Sequence, residues 1–177
     1  MPNIDLKSVL QRTVSSTFGD LVTRRTGKAV RDGIEQELSQ VDAEQVAVID
    51  FSTVRCLDYS CADEIVGKLL LAHGEVRYFL LQGITAAHRD AIEPVLERHH
   101  VAVAARDRDG TIRLLGPLDE TARQAFAIIS SRGGVGPDEL ATELALPPER
   151  VLSVLETLQN RRLLQREQGR YTAPMAE

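Results

Sequence analysis

Val46-Ala-Val-Ile-Asp-Phe51, Ser52-Thr-Val-Arg-Cys-Leu-Asp58 and Tyr59-Ser-Cys-Ala-Asp-Glu-Ile-Val66 are three consecutive pieces of chain with different physical character. The first is short, apolar and rich in β-branched residues, the pattern of a buried strand. The second is a polar connector. In the third, Ile65, Leu69 and Ala72 recur at helical spacing, with Val66 and Leu70 beside them, so a helix is expected over 61–73. The unit is strand, turn, helix, and a helix start leaves backbone amides that a hydroxyl or carboxylate can satisfy.

The same alternation continues on both sides. Val30, Ile34 and Leu38 predict a helix within 26–40, and Val76-Arg-Tyr-Phe-Leu-Leu81 a second buried strand. Ile84, Ala87, Ala91, Ile92, Val95 and Leu96 predict a helix over 85–98, which Pro94 is expected to kink. Val101–Ala105 and Thr111–Leu115 flank Asp107-Arg-Asp-Gly110, a hairpin signal. Strands alternating with helices favour a central sheet with helices packed on it, an α/β architecture. The first 25 residues are the least legible; short strands are expected near Leu6–Leu10 and Val14–Leu21.

After Gly116-Pro117 the pattern becomes helical almost to the end. Asp119–Arg132 stops at Gly133-Gly134, a C-terminal cap signal. Pro137–Leu144 opens with proline and acids in its first turn. A third helix starts at Pro147-Pro148 with Val151, Val154, Leu155 and Leu158 as its core. Leu163–Arg166, Glu167-Gln-Gly169 and Arg170–Thr172 form a compact hairpin. Two domains are therefore expected, 1–117 and 118–177, the second an α+β winged helix, joined by a short flexible hinge.

Composition narrows the function classes. Of 177 residues, 43% are apolar and 27% charged, which is globular rather than disordered. The formal charge is −5, with −3 in residues 1–117 and −2 in 118–177, which disfavours nucleic-acid binding by bulk positive charge. There is no long apolar run and no signal core, so a cytoplasmic chain without a membrane partner is expected. Cys56 and Cys61 are too few for a disulfide framework and lack metal spacing; Cys56 is expected in the core, and Cys61 as a small buried filler. No GxSxG, HExxH or GxxxxGK[ST] motif is present, and His73, His88, His99 and His100 lack ligand spacing. A non-enzyme with no cofactor and no metal is expected.

The Asp58-Tyr-Ser-Cys-Ala-Asp-Glu64 turn resembles that of STAS domains of bacterial anti-sigma-factor antagonists, over residues 14–116, and Gly19-Asp20-Leu21 resembles that family's approach to its first helix. It is closest to a divergent STAS-like family of unknown function, in which a similar Ser-Phe/Cys-Ala-Asp-Glu run follows the strand. The resemblance sets Asp58 at the motif aspartate and Ser60 at the serine phosphorylated by a partner kinase. Tyr59 stands where the family has a small residue, Cys61-Ala62 replaces its Gly-Leu pair, and Asp63-Glu64 adds two acids. Three readings of Ser60 stand side by side: a plain N-cap, a regulatory phosphoserine, and part of an acidic partner-docking turn with Asp58, Tyr59, Asp63 and Glu64. Asp63, three residues on, suggests a capping box.

Leu152 to Arg166 is similar to the recognition helix and the start of the wing in MarR-like regulators, except that Arg162 replaces a common glycine, which implies a tighter or strained helix end. The positions that face bases in that family are Arg150, Ser153 and Thr157, with Arg161, Arg166 and Arg170 as candidate phosphate contacts. Glu149 and Glu156 lie on or beside the same face, and DNA binding and protein docking remain open alternatives. Dimerisation would double the local arginines. The combined expectation is a non-enzymatic signalling or transcription-regulatory protein, in which a partner such as a kinase or anti-sigma-like factor acts on the first domain and the second answers. The alternative is a protein-docking adaptor, or an accessory subunit of a kinase or ATPase system, in which neither domain binds DNA.

Overall fold

The computed structural model describes residues 3–13 and 20–175. Its elements, in chain order, are β1 (Asn3–Asp5), α1 (Leu6–Thr13), β2 (Asp20–Leu21), α2 (Arg24–Leu38), β3 (Ala47–Asp50), β4 (Cys56–Leu57) and α3 (Tyr59–Ala62). A π-helical turn (Asp63–Lys68) joins α3 to α4 (Leu69–His73). Then come β5 (Phe79–Ile84), α5 (Ala86–His99), β6 (Val103–Asp107), β7 (Ile112–Leu115), α6 (Glu120–Arg132), α7 (Pro137–Leu144), α8 (Pro148–Asn160), β8 (Gln165–Glu167) and β9 (Arg170–Thr172).

The chain is mixed α/β. Its main sheet has the order β1-β3-β5-β6-β7, parallel except for the antiparallel β6–β7 hairpin. Successive parallel strands advance in one direction, and right-handed crossovers then put every connecting helix on the same face. One apolar cluster accordingly joins Ile49, Phe79, Leu81, Val103 and Ala105 to residues of α1, α2, the Tyr59–His73 helix and α5.

The alternate strand residues face the other way. Val48, Leu80, Ala104 and Leu114 cluster with Ala125, Phe126 and Ile129 of α6, Leu140 of α7, and Val151, Leu155 and Leu158 of α8. Residues of α6, α7 and α8 thus cover the rear of the sheet. The expected flexible hinge is a pinned corner instead. Gly116 (φ 103°) approaches Ala102 so closely that a Cβ would lie 2.9 Å from its Cα. The Gly116 amide donates to Glu93 (2.9 Å), Arg123 donates to the carbonyls of Leu114 (2.8 Å) and Gly116, and Arg161 donates to that of Pro117 (3.4 Å). At Leu114, Arg123 also occupies a carbonyl of the edge strand β7, a group that would otherwise invite another chain.

One further expectation is corrected here. Leu6–Thr13 is helical, not strand: Leu6 and Val9, at i and i+3, are both buried against the front cluster. Of the strand expected over 14–21, Asp20–Leu21 is extended and pairs in parallel with Cys56–Leu57, while 14–19 lie outside the described residues. α5 runs on through Pro94. No helix among the described residues is long and apolar enough to cross a membrane.

Candidate functional site

The small β2–β4 pair brings the starts of α2 and α3 together, with the Asp58 amide donating to the Leu21 carbonyl (3.0 Å). Asp58 is the N-cap of α3, in extended conformation, and one of its oxygens accepts from the Cys61 amide (2.7 Å) and the Ser60 hydroxyl (2.8 Å). Its other oxygen accepts from the Thr23 amide (3.0 Å). The expected Ser60 cap with Asp63 as box partner is therefore corrected. The helix starts at Tyr59, so Asp58, with its extended backbone, occupies the cap position, and Ser60, the second helical residue, acts as a donor. Burial raises the Asp58 pKa, but the Thr23 and Cys61 amides and the Ser60 hydroxyl outweigh it and hold the carboxyl below its ordinary range.

Thr23 caps α2, its hydroxyl accepting from the Thr26 amide (3.4 Å), and has φ 77°, a left-handed conformation costly for a β-branched residue. Three backbone bonds hold it there: its amide donates to Asp58, and its carbonyl accepts from Cys61 Sγ (3.0 Å) and from the Gly27 amide (3.1 Å). A Cβ on Gly27 would sit 2.9 Å from the Cys61 Cα, so glycine sets how closely the helices meet. Cys61 is buried, as the sequence suggested, and burial, helped by Asp58, pushes its pKa up to about 12. Cys56, expected in the core, is exposed, because the two-stranded pair lies at the molecular surface.

Asp63 and Glu64 are not part of an exposed acidic turn: they are 3% and 2% accessible. Arg24 reaches both (2.6 and 2.9 Å), His99 Nε2 lies 2.6 Å from Asp63, and Lys68 and Arg31 (3.2 Å) pair with Glu64. Burial opposes ionisation of the two acids, but these partners hold both pKa values below the ordinary range. Sequence reasoning missed Thr23, Arg24, Arg31 and His99; the Thr23-Arg24-Arg25 run was the available signal for the first two. Tyr59 is exposed and its phenol oxygen accepts from Arg98 (3.3 Å); Ser60 is half-buried beside it. Among the described residues no three His, Cys, Asp or Glu side chains gather as a metal site would require.

In the tail, Arg150, Ser153 and Thr157 share the exposed side of α8, and the Thr157 hydroxyl is bonded to the Ser153 carbonyl (2.9 Å). The cations expected to assist them are engaged elsewhere. Arg161 donates to the His100 and Pro117 carbonyls (both 3.4 Å), and burial lowers its pKa. Arg170 pairs with Glu139 (2.9 Å) and the Gly134 carbonyl (2.8 Å), and Arg166 lies over the Tyr171 ring. Arg162 has φ 56°, the strained helix end its sequence implied, and stacks on Tyr78 of the sheet. No protein-family model matches this chain, and no curated protein matches it in sequence.

Proposed function

We propose that this is a non-enzymatic, cytoplasmic regulatory protein: a STAS-like module that binds a protein partner at Asp58, Tyr59 and Ser60, carrying a winged-helix tail on the back of its sheet. The observation that carries the reading is the Ser60 hydroxyl, 2.8 Å from Asp58 and half-exposed beside the open ring of Tyr59, on a framework otherwise packed and paired. A phosphate on that oxygen would meet Asp58 at once, and the repulsion would remodel the turn.

For the tail, protein docking is favoured over DNA. Of the seven arginines in 118–177, Arg123, Arg132, Arg161, Arg162, Arg166 and Arg170 each have a partner within the chain. Arg150 is exposed and has none among the described residues, and one cation is a poor match for a phosphate wall. The α6–α7–α8 and β8–β9 arrangement supports the winged-helix assignment by its order alone.

A photo-crosslinking residue at position 59, used in the native cells, tests the reading. A discrete protein adduct that Ser60→Glu removes is expected. Absence of any adduct at 59 overturns it, and DNA adducts from position 150 would then favour a DNA-binding regulator.

A further inference from the structure

Burial of Asp63 and Glu64 inverts the charge that the Asp58–Glu64 turn shows to solvent. Both carboxylates lie beneath Arg24, whose side chain remains half exposed while holding them. The three bonds to Asp58 occupy both of its oxygens. Asp20 is engaged by Arg55 (3.0 Å). Exposed beside the turn are Arg24, which reaches Asp63 and Glu64 from the start of α2, and Arg98, bonded to Tyr59 (3.3 Å), with Arg25 next to Arg24 in the first turn of α2. Arg25 is exposed and has no partner among the described residues. Two exposed apolar side chains, Val22 (45%) and Tyr59 (39%), adjoin in sequence the two residues of the Thr23–Asp58 contact.

We propose that this face recognises an acidic protein segment bearing an apolar side chain, its carboxylates set on Arg24, Arg25 and Arg98 and its apolar group on Val22 and Tyr59. The inference rests on the partner-binding reading above and gives the partner its chemistry. Arg24, paired with the buried carboxylates, and Arg98, bonded to Tyr59, are positioned before the partner arrives, so little of their side-chain order is lost on binding. Exposed charges steer encounter and set register, and the apolar pair supplies the area that is removed from water. Tyr59, held by Arg98, is a preordered anchor. A negative charge on Ser60 would compete for the same arginines, so modification would release the segment.

The probe is a fluorescent dodecapeptide of glutamates with two leucines, followed by anisotropy with the full chain. Its counterpart with glutamine for glutamate, a DNA oligonucleotide of equal charge and vesicles rich in anionic lipid serve as comparisons. Binding of the acidic peptide is expected, weakened about tenfold by Arg98→Glu or Arg25→Glu and by raised salt, and unchanged by Arg150→Glu. Neither Arg25 nor Arg98 bonds to the buried acids, and circular dichroism of each variant verifies its fold. Equal binding of the glutamine peptide, indifference to both substitutions, or stronger binding of DNA or vesicles overturns the proposal. A position-59 adduct whose crosslinked segment lacks acidic residues also overturns it while leaving partner binding intact; no adduct at all removes the partner reading itself.

Discussion

The Asp58 carboxylate accepts the backbone amide of Thr23 at 3.0 Å, tying the start of α2 to the start of α3 across 35 positions of sequence. One side chain thereby caps its own helix and holds a neighbouring residue in a left-handed conformation. Asp58→Ala removes both interactions. A loss of about 1 to 2 kcal/mol in chemical denaturation is expected, against a smaller loss for Ser60→Ala, whose hydroxyl only donates to the cap.

Thr23 offers the opposite sign. Glycine reaches φ 77° without a Cβ clash and costs only a few tenths of a kcal/mol as a cap, so Thr23→Gly is expected to be neutral or to stabilise by up to about 1 kcal/mol. Thr23→Val keeps the strain, loses the hydroxyl and should lower the melting temperature.

The two thiols should separate cleanly under native conditions. Cys56 is exposed and should react with a thiol-specific reagent, whereas Cys61 is buried, bonded to the Thr23 carbonyl and protonated far above neutral pH, with a pKa of about 12. One equivalent of thiol is expected in the folded protein and two after denaturation.

Acid should destabilise the fold in two stages. His88 is buried; its Nδ1 accepts from the Thr85 amide (3.2 Å) and its Nε2 faces the Val54 carbonyl (3.0 Å), which suits only the neutral ring. Burial depresses its pKa, so its contribution is present above the unfolded value near 6.5 and is lost as pH falls through the folded one. Asp58, Asp63 and Glu64, also depressed, keep theirs above about pH 4 and lose it below. Melting temperature against pH should therefore fall first below about pH 6.5 and again below about pH 4, with His88→Gln lacking the first step.

The rear cluster predicts one melting transition for the whole chain. Phe126→Ala should cost about 3 to 5 kcal/mol and shift that single transition, read by calorimetry. Residues 1–117 alone should expose Val48, Leu80 and Leu114 and bind a hydrophobic dye. Two separate transitions in the full chain would sink the shared core.

Much of this architecture was legible from short-range pattern. Val46–Phe51, Val30-Ile34-Leu38 and Pro137–Leu144 carry periodicities and caps that local sterics and hydrogen bonding translate into strand or helix almost without context. The site was legible only in outline. Asp58, Tyr59 and Ser60 stood out as a turn, but nothing near them in sequence announced that Thr23 and Arg24 would arrive to take up their neighbours' charges.

Local chemistry therefore settled most of the order of elements from α2 onward, the unbroken apolar runs of the main strands and the polar mouth of the third helix. Folding in three dimensions settled which acids are hidden, which arginines remain free, and that α6, α7 and α8 pack against the sheet. The reason is physical. Period and capping act over a few residues, whereas charge pairing and the apolar rear face of a one-sided sheet find their partners only through long-range packing.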